Sequence, residues 1–366
     1  MNKGIKQKIL FVIPSLAGGG AERVITHLSN HINRDKYIPE LLLIFDTGHL
    51  LLKNLKKDVK VTKLCIPTSK KYFFLQTLIA IIRQKPDIVF MGMSGINVLI
   101  APFIPFLKRI KWIARETNTV SMHVQNKRML FLYRNFYKNY NRIIAQCDDM
   151  KNDLIANFNI PNAKIKVINN PIDTEFINHQ LSSQKSVLFP SGRINLLACG
   201  RLVPQKGFDL LLKAFAKLKE KERFYLTIVG DTQDNDYKSE LESLIQSLGL
   251  NDLVNLAGFQ SNVYHWYKQA DIFVLSSRYE GFPNAVLEAL SCGTPVLANQ
   301  CKGGVDEIII EGANGCLFDF AQRNFEDKLK KILLSDFDRE QICRDAKCRF
   351  DVAVIMAQYE EVIGAV

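Results

Sequence analysis

Two glutamates eight residues apart, Glu280 and Glu288, lie on either side of a predicted helix N-terminus. Gly281 and Pro283 interrupt the chain, and apolar residues then follow at helical spacing over Asn284–Ser291. The first N–H groups of a helix have no intrahelical partner and bear partial positive charge, so they can bind a phosphate. A carboxylate can accept two hydrogen bonds from a vicinal diol. The stretch therefore predicts a site for a sugar nucleotide, which presents both groups.

The alternative interpretation is that Glu280 is a turn residue and that Glu288 faces solvent, as a single Glu on a helix usually does. This alternative is weaker for Glu288, because its neighbours in the segment Val-Leu-Glu-Ala-Leu are apolar.

A second candidate loop contains Arg201 and Lys206, between a predicted strand and a predicted helix. An arginine binds phosphate as a planar fork and a lysine binds it as a point charge. Gly200 and Gly207 would allow the ligand to approach the backbone closely. An exposed basic loop is the alternative, but the pattern favours a diphosphate contact.

Taken in order, these motifs resemble those of the retaining glycosyltransferases of family four. The resemblance is carried by four segments: the E-x7-E pair at 280–288, Cys-Gly-Thr-Pro-Val at 292–296, Gly-Gly-x-x-Glu at 303–307, and Gly-Arg-Leu with Lys-Gly at 200–207. It implies that Arg201 and Lys206 hold the donor diphosphate and stabilise it as a leaving group. We infer that Glu288 holds the ribose and that Glu280 holds the transferred sugar.

A glycine loop at 18–20 precedes the first predicted helix. It suggests a dinucleotide fingerprint, but the pattern G-x-G-x-x-G fails at Arg23, and a simple tight turn is the alternative. The loop also resembles the family's Gly-Gly-Ala-Glu-Arg signature, in which backbone N–H groups approach the donor phosphate and the acceptor. The resemblance therefore implies donor contacts at Gly19 and Gly20.

Two further loops complete the predicted donor site. The loop at Gly258 and Phe259 resembles the one that reads the nucleotide base in this family, which assigns Phe259 to the site. The start of the helix after Glu280 supplies the remaining residues, namely Gly281, Phe282, Pro283, Asn284 and Ala285.

The catalytic candidate in the first half of the chain is Glu116. The family often has a His after the strand predicted at 111–114, where this sequence instead has Arg115 and Glu116. Glu116 could orient the acceptor or act as its base, and His123 is the alternative.

An Asp-Asn-Asp triplet at 234–236 matches a metal-binding motif of another glycosyltransferase class. It precedes a predicted helix, where an Asp serves as a cap. We therefore expect no metal and no cofactor, the nucleotide sugar being a substrate.

Composition bounds the class of protein. A chain of 366 residues with 47% hydrophobic and 23% charged residues suits two globular domains. Its eight cysteines form no C-x-x-C pair, which favours a reducing compartment over a zinc site or a disulfide scaffold.

The apolar run at 9–13 is short and leads through Pro14 into the glycine loop, so it is predicted as a buried first strand. The longest apolar stretches, 72–82 and 96–107, are too short to span a bilayer.

Charge is distributed unevenly along the chain. Residues 1–173 contain 27 Lys/Arg and 11 Asp/Glu, whereas residues 174–366 contain 21 and 26. A basic half can bind nucleic acid, an anionic membrane surface or a phosphorylated substrate, and a solvated basic face is the alternative. No nucleic-acid motif accompanies the charge, so we expect a peripheral contact with an anionic membrane and no nucleic-acid partner.

Strands alternate with helices in both halves of the sequence, which predicts an α/β protein with parallel sheets. The boundary falls in the turn-forming stretch 169–173, giving domains 1–173 and 174–349. The resemblance implies the GT-B fold, in which two Rossmann-like, doubly wound domains face a central cleft. It also implies that a C-terminal helix, 350–366, crosses back to the first domain.

The predicted function is transfer of a hexose or N-acetylhexosamine, with retention and without metal, from a UDP-linked donor to a lipid-linked glycan or lipopolysaccharide-type acceptor. The predicted location is cytoplasmic, on the inner face of the membrane. The alternatives are another Rossmann-type nucleotide-sugar enzyme, such as an epimerase or dehydrogenase, and a basic nucleic-acid-binding protein.

Overall fold

The chain folds into two structural units. A computed structural model describes residues 6–45, 47–69, 71–183, 189–232 and 235–366. Unit 1 comprises residues 1–171 and 352–366, and unit 2 comprises residues 172–351. The chain thus leaves unit 1 once and returns to it once.

Unit 1 is built on a seven-stranded parallel sheet of order β3-β2-β1-β4-β5-β6-β7. Its strands are β1 Gln7–Ile13, β2 Tyr37–Phe45, β3 Lys60–Ile66, β4 Ile88–Met91, β5 Lys111–Arg115, β6 Arg142–Ala145 and β7 Ile165–Val167. The central strands are continuous apolar runs, as expected where helices cover both faces of a sheet.

Six helices of unit 1 follow these strands. They are α1 Gly20–His31, α2 Phe73–Gln84, α3 Ser94–Ile100, α4 Val120–His123, α5 Lys127–Phe136 and α6 Asp148–Phe158. The apolar stretch at 96–107 consists of most of α3 followed by the 3-10 turn Ala101–Phe106.

Unit 2 repeats the design with a six-stranded parallel sheet of order β10-β9-β8-β11-β12-β13. The strands are β8 Ile194–Cys199, β9 Phe224–Val229, β10 Val254–Gly258, β11 Ile272–Leu275, β12 Val296–Asn299 and β13 Gly315–Phe318. The helices are α7 Thr174–Leu181, α8 Phe208–Ala216, α9 Asn235–Ser247, α10 Tyr264–Gln269, α11 Asn284–Ser291, α12 Val305–Ile308, α13 Phe325–Leu334 and α14 Arg339–Phe350. The predicted α/β class with two doubly wound sheets is confirmed.

Both sheets reverse their strand order at one point, between β1 and β4 in unit 1 and between β8 and β11 in unit 2. Open parallel sheets bind ligands at the carboxyl edge beside such a switch point, because the loops on its two sides diverge. The loops that follow β8 and β11 are those predicted to hold the donor.

The last helix, α15 Val352–Gly364, belongs to unit 1. Its apolar side chains join the core formed by β1, β2 and β4, and the Tyr359 ring lies 5.9 Å from the Phe90 ring. The predicted return of a C-terminal helix to the first domain is therefore confirmed.

The prediction that this helix begins at 350 was wrong by two residues, because Asp351 separates α14 from α15. Its neighbour Phe350 accepts a backbone bond of 2.8 Å from Ile172, and Thr174 donates to the Asp351 carboxylate. The preceding helix α14 was missed, because it buries only three apolar or small side chains, Ile342, Ala346 and Phe350.

Across the described parts of the chain, no helix combines the length and the apolar character that crossing a membrane requires.

Candidate functional site

The loops after β8 and β11 are joined to each other at the carboxyl edge of unit 2. Arg278 donates its backbone N–H to the Gln205 carbonyl at 2.8 Å, and the Gln205 side chain donates to the Tyr279 carbonyl at 3.0 Å. The Ser276 hydroxyl donates to the Lys206 carbonyl at 2.8 Å. These bonds fix the backbone of one loop against that of the other.

A bidentate ion pair anchors the same loops to α8. The two terminal nitrogens of Arg278 each lie 2.8 Å from an oxygen of Asp209, and one of them also donates to the Pro204 carbonyl. Burial has the largest single effect on the pKa of the Asp209 carboxyl and raises it. The hydrogen bonds and the charge of Arg278 act in the opposite direction, and the net result is a lowered pKa.

At the centre of the joined loops, the Lys206 ammonium lies 2.7 Å from Oε1 of Glu280. The Ser277 hydroxyl donates to the same oxygen at 2.5 Å. Glu280 is 6% exposed, so this ion pair is largely removed from water. The structure thus brings together two residues that the sequence assigned to different parts of a donor, and an ammonium with three donors can bind Glu280 and an anion together.

The Glu280 backbone is held by the loop after β12. Glu280 donates its N–H to the Lys302 carbonyl at 2.9 Å, and the Asn299 side chain donates to the Ser277 carbonyl at 3.0 Å. Gly303 has φ +116°, and a Cβ added there would lie 2.1 Å from the Glu280 carbonyl oxygen. This close approach explains the glycine at 303, in the Gly-Gly pair that the sequence singled out.

Glu288 lies inside unit 2 and does not face solvent. It is 8% exposed, and the hydroxyl of Tyr267 on α10 donates to its Oε2 at 3.2 Å. Tyr267 is fully buried, so the contact fixes the carboxylate between α10 and α11. The solvent-facing alternative for Glu288 was wrong, whereas its contact with a ribose stays a prediction.

The other predicted donor-binding residues of unit 2 differ in their exposure to solvent. Phe282 is 5% exposed and its ring packs 6.1 Å from Phe350, so its ring belongs to the core and only its backbone can contact a ligand. The remaining residues fall into three groups: Gly281 and Pro283 are buried, Asn284 and Ala285 are half-buried at the start of α11, and Arg201 and Phe259 are exposed.

The loops after β8, β9 and β10 continue the same edge. Gly200 donates its N–H to the Val229 carbonyl at 3.0 Å, and Gly230 donates to the Gly258 carbonyl at 2.9 Å. Arg201 and Phe259 are therefore presented along one continuous row of strand ends. The Asp-Asn-Asp triplet lies partly outside the described residues, at Asp234, and Asn235 begins α9.

In unit 1 the glycine loop is occupied by a side chain of its own helix. The N–H groups of Gly18 and Gly19 donate to Oε2 of Glu22 at 2.7 and 2.6 Å, and the Ser15 hydroxyl donates to Oε1 at 2.6 Å. This is a capping-box arrangement. The predicted donor contact through the Gly19 amide does not fit this conformation, because that N–H is already bonded; Gly20 begins α1 and is exposed.

Glu116 is fully buried in unit 1 within a cluster of tyrosines. Tyr137 donates a short hydrogen bond to its carboxylate, and the Tyr133 hydroxyl lies 3.4 Å from both carboxylate oxygens. Burial raises the pKa of Glu116 to about 7, against the lowering effect of the hydroxyl donors. Burial and the nearby carboxylate also raise the pKa values of Tyr133 and Tyr137.

The proposed contact of Glu116 with an acceptor is therefore not supported by this geometry, because the carboxylate does not reach solvent. His123, the alternative, is exposed at the end of α4. The sequence does not indicate the tyrosine cluster, because Tyr133 and Tyr137 lie among basic residues in the segment 127–142.

Two family models together match most of the chain. One, described as glycosyl transferases group 1, matches residues 180–349, and one described as glycosyltransferase family 4 matches residues 18–176. The two matches meet within α7, a few residues after the chain enters unit 2.

Two relatives are similar to the chain across both units. The chain is 32% identical over 286 residues to an uncharacterized glycosyltransferase of Methanocaldococcus jannaschii, covering 73% of this chain and 68% of the relative. It is 27% identical to the N-acetylgalactosamine-N,N'-diacetylbacillosaminyl-diphospho-undecaprenol 4-alpha-N-acetylgalactosaminyltransferase of Campylobacter jejuni, covering 93% of this chain and 98% of the relative.

A crystal structure of Anabaena HepE in complex with UDP-glucose matches the fold with a TM-score of 0.79 and 21% identity. The match covers 98% of this chain and 100% of that chain. At this identity the similarity shows the fold alone, and it supports the predicted GT-B class.

Replacement of Gly303 by Ala should displace the Glu280 loop, because the new Cβ would overlap the Glu280 carbonyl oxygen. We expect a lower melting temperature and at least a tenfold loss of glycosyl transfer. Gly312→Ala is the matched control, since Gly312 also has a positive φ of +80° but a Cβ added there would have no neighbour within 4 Å. It should cost about 1 kcal/mol of stability and leave transfer intact. Equal activity of the two variants would contradict the role assigned to Gly303.

Replacement of Glu116 by Gln should alter how stability depends on pH. Folding raises the pKa of Glu116 from 4.5 to about 7. The contribution of this group to the free energy of unfolding is therefore fully present below pH 4.5 and is lost as the pH rises through about 7. Gln cannot ionise and should lack this loss, which amounts to roughly 3 kcal/mol for an isolated group.

Urea unfolding at pH 5 and pH 8 in a Trp266→Phe background would measure this, because Trp112 of β5 then reports on unit 1. Exposed Glu242→Gln is the control. If Glu116→Gln loses as much stability between the two pH values as its parent, Glu116 does not titrate in this range.

Proposed function

Because the chain belongs to glycosyltransferase family 4, we propose that it transfers a hexose or N-acetylhexosamine from a UDP-linked donor with retention of configuration. The observation that supports this most directly is the Lys206–Glu280 pair at the switch point of unit 2. It places a cation and a carboxylate at the edge where a parallel sheet binds a ligand.

In this proposal, unit 2 binds the donor. Lys206 and exposed Arg201 hold the diphosphate, and the N-terminus of α11 lies in the same loop edge. Glu280 accepts hydrogen bonds from hydroxyls of the transferred sugar, and Glu288 accepts them from the ribose. Phe259 and the backbone of its loop contact the base.

The reaction breaks the bond between the anomeric carbon and the β-phosphate oxygen and forms a bond from that carbon to an acceptor oxygen. The electron pair leaves with the diphosphate, where Arg201 and Lys206 stabilise the growing negative charge. The proton of the acceptor hydroxyl passes to the departing phosphate oxygen as the acceptor attacks from the same face. This route preserves the configuration of the donor and calls on no metal ion.

A lipid-linked acceptor is supported by two observations. The Campylobacter relative is named for a diphospho-undecaprenol acceptor and an alpha linkage. Residues 1–173 have an excess of 16 basic over acidic residues, which suits a diphosphate-bearing lipid at an anionic membrane surface. We therefore propose peripheral association with the inner face of the cytoplasmic membrane, and no nucleic-acid partner. Membership of the family sets aside the epimerase and dehydrogenase alternatives.

A donor screen tests this proposal. The enzyme is incubated with each nucleotide sugar, with and without a polyprenyl-diphosphate-linked sugar, a lipopolysaccharide core or a free sugar, and nucleotide release is measured. We expect release of UDP that is accelerated by the polyprenyl-linked acceptor and unchanged by a metal chelator. The product should have the anomeric configuration of the donor, as determined by NMR; an inverted product would contradict retention.

Variants of the ion pair test the assigned residues. Glu280→Gln should lower the transfer rate by about a hundredfold. Lys206→Met should lower the transfer rate and, in addition, raise the donor KM, because it removes a phosphate contact. It also leaves the buried Glu280 carboxylate without its cationic partner.

Lys213→Met is the matched control, since Lys213 is an exposed lysine on neighbouring α8. It should behave as wild type. Wild-type kinetics of Lys206→Met and Glu280→Gln would exclude this pair from the site.

A further inference from the structure

An apolar stripe runs along the outward face of α2, beside the exposed Gln76 and Arg83. Leu75, Ile79 and Ile82 are 41%, 49% and 44% exposed, and Tyr72 just before the helix is 69% exposed. The spacing of these residues places them on one side of the helix, over roughly 15 Å. A surface helix normally directs a polar face to solvent, so an apolar stripe on the outer face departs from the usual arrangement.

The opposite face of α2 is packed against unit 1. Thr77, Leu78 and Ile81 are buried. The Phe73 ring lies 5.0 Å from Phe45, and the Phe74 ring lies 6.1 Å from Phe103. The helix is therefore held in this orientation by its own core contacts, and the exposed apolar side chains are a fixed feature of the surface.

The 3-10 turn Ala101–Phe106 extends the apolar surface. Phe103 in this turn contacts α2, and Phe106, three residues later, is 84% exposed. Lys108 and Arg109 follow after Leu107 and are exposed.

The sequence that contains these apolar side chains is strongly basic. Residues 60–115 contain ten Lys/Arg and one acidic residue, Asp87. The Asp87 carboxylate accepts the Lys8 backbone N–H at 2.7 Å. Lys71, Arg83 and Lys85 are exposed at the two ends of α2.

We propose that this surface binds an anionic lipid bilayer. It consists of Tyr72, Leu75, Ile79, Ile82 and Phe106 with the flanking basic residues Lys71, Arg83, Lys85, Lys108 and Arg109, and is termed the α2 surface below. The apolar side chains enter the region between headgroups and acyl chains, and the basic residues contact lipid phosphates. The inference extends the peripheral association proposed above by naming the surface responsible for it.

The positive charge of the α2 surface favours an anionic bilayer over a second copy of the chain as its binding partner. Two copies joined through the α2 surface would bring two groups of positive charge together, and the cores of protein interfaces are depleted of Lys. An anionic bilayer offers phosphates to every basic residue and an apolar layer to the stripe between them.

Flotation with phosphatidylcholine vesicles containing about one-third phosphatidylglycerol tests the apolar part. The variant Leu75→Gln/Ile79→Gln/Ile82→Gln should bind at least tenfold more weakly than wild type. The control Ile310→Gln/Leu333→Gln/Leu334→Gln removes three exposed apolar side chains from unit 2 and should bind as wild type. Circular dichroism and thermal melting verify that each variant is folded. Equal flotation of both variants would overturn the proposal.

The basic part is tested separately. Arg83→Glu/Lys108→Glu/Arg109→Glu should weaken binding by about fivefold or more per residue, and wild type should leave the vesicles as salt rises. Equal binding to vesicles of phosphatidylcholine alone would contradict the role of charge. A concentration-dependent dimer that the Gln variant abolishes would identify a second copy as the occupant instead.

Release of UDP from a soluble donor should be unchanged in these variants, because no residue of the α2 surface belongs to the proposed donor site. Intact vesicle binding without transfer to any lipid-linked acceptor would reject the proposed acceptor and leave the α2 surface standing. Transfer to a lipid-linked acceptor without vesicle binding would reject the α2 surface as a membrane-binding site and leave the proposed acceptor standing.

Discussion

The 2.7 Å contact between the Lys206 ammonium and the Glu280 carboxylate is the interaction on which the candidate site depends. Removing one partner of a buried ion pair commonly costs about 3–5 kcal/mol, a large share of the roughly 5–15 kcal/mol by which a folded protein is stable, because the other charge is left without compensation. The pair therefore requires both loops to stay at this separation. The bonds from Arg278, Ser276 and Gln205, together with the close approach at Gly303, meet that requirement.

In each unit, a carboxylate of the chain itself lies against the loop that follows the first strand, which is β1 in unit 1 and β8 in unit 2. In unit 2 Glu280 binds Lys206, and in unit 1 Glu22 binds the amides of Gly18 and Gly19. The consequence differs, because an ammonium retains donors for a second anion whereas a backbone N–H donates a single strong bond. Duplicated topology therefore does not imply duplicated ligand binding, and the cationic side chains favour unit 2 as the donor-binding unit.

The first unit is distinguished by charge and by an exposed apolar helix face. A helix that follows a strand of a parallel sheet must bury one face against that sheet, and α2 does so with Thr77, Leu78 and Ile81. Nothing in that requirement makes the opposite face apolar. An apolar outer face flanked by basic residues is instead typical of helices that lie at a membrane interface.

The sequence alone determined the two parallel sheets, because alternating strands and helices follow from local periodicity and turn chemistry. The return of the C-terminal helix was implied by the resemblance to the family and not by periodicity. The sequence also indicated that Glu288 is buried, since its immediate neighbours are apolar. It missed α14, whose signal was the capping Asp338 and not a long apolar face. Only the tertiary structure showed that Glu280 bonds to Lys206, that Glu22 occupies the glycine loop and that Glu116 lies beneath tyrosines. These contacts depend on which strands are neighbours and on where each side chain points after packing, and residue spacing along the chain specifies neither.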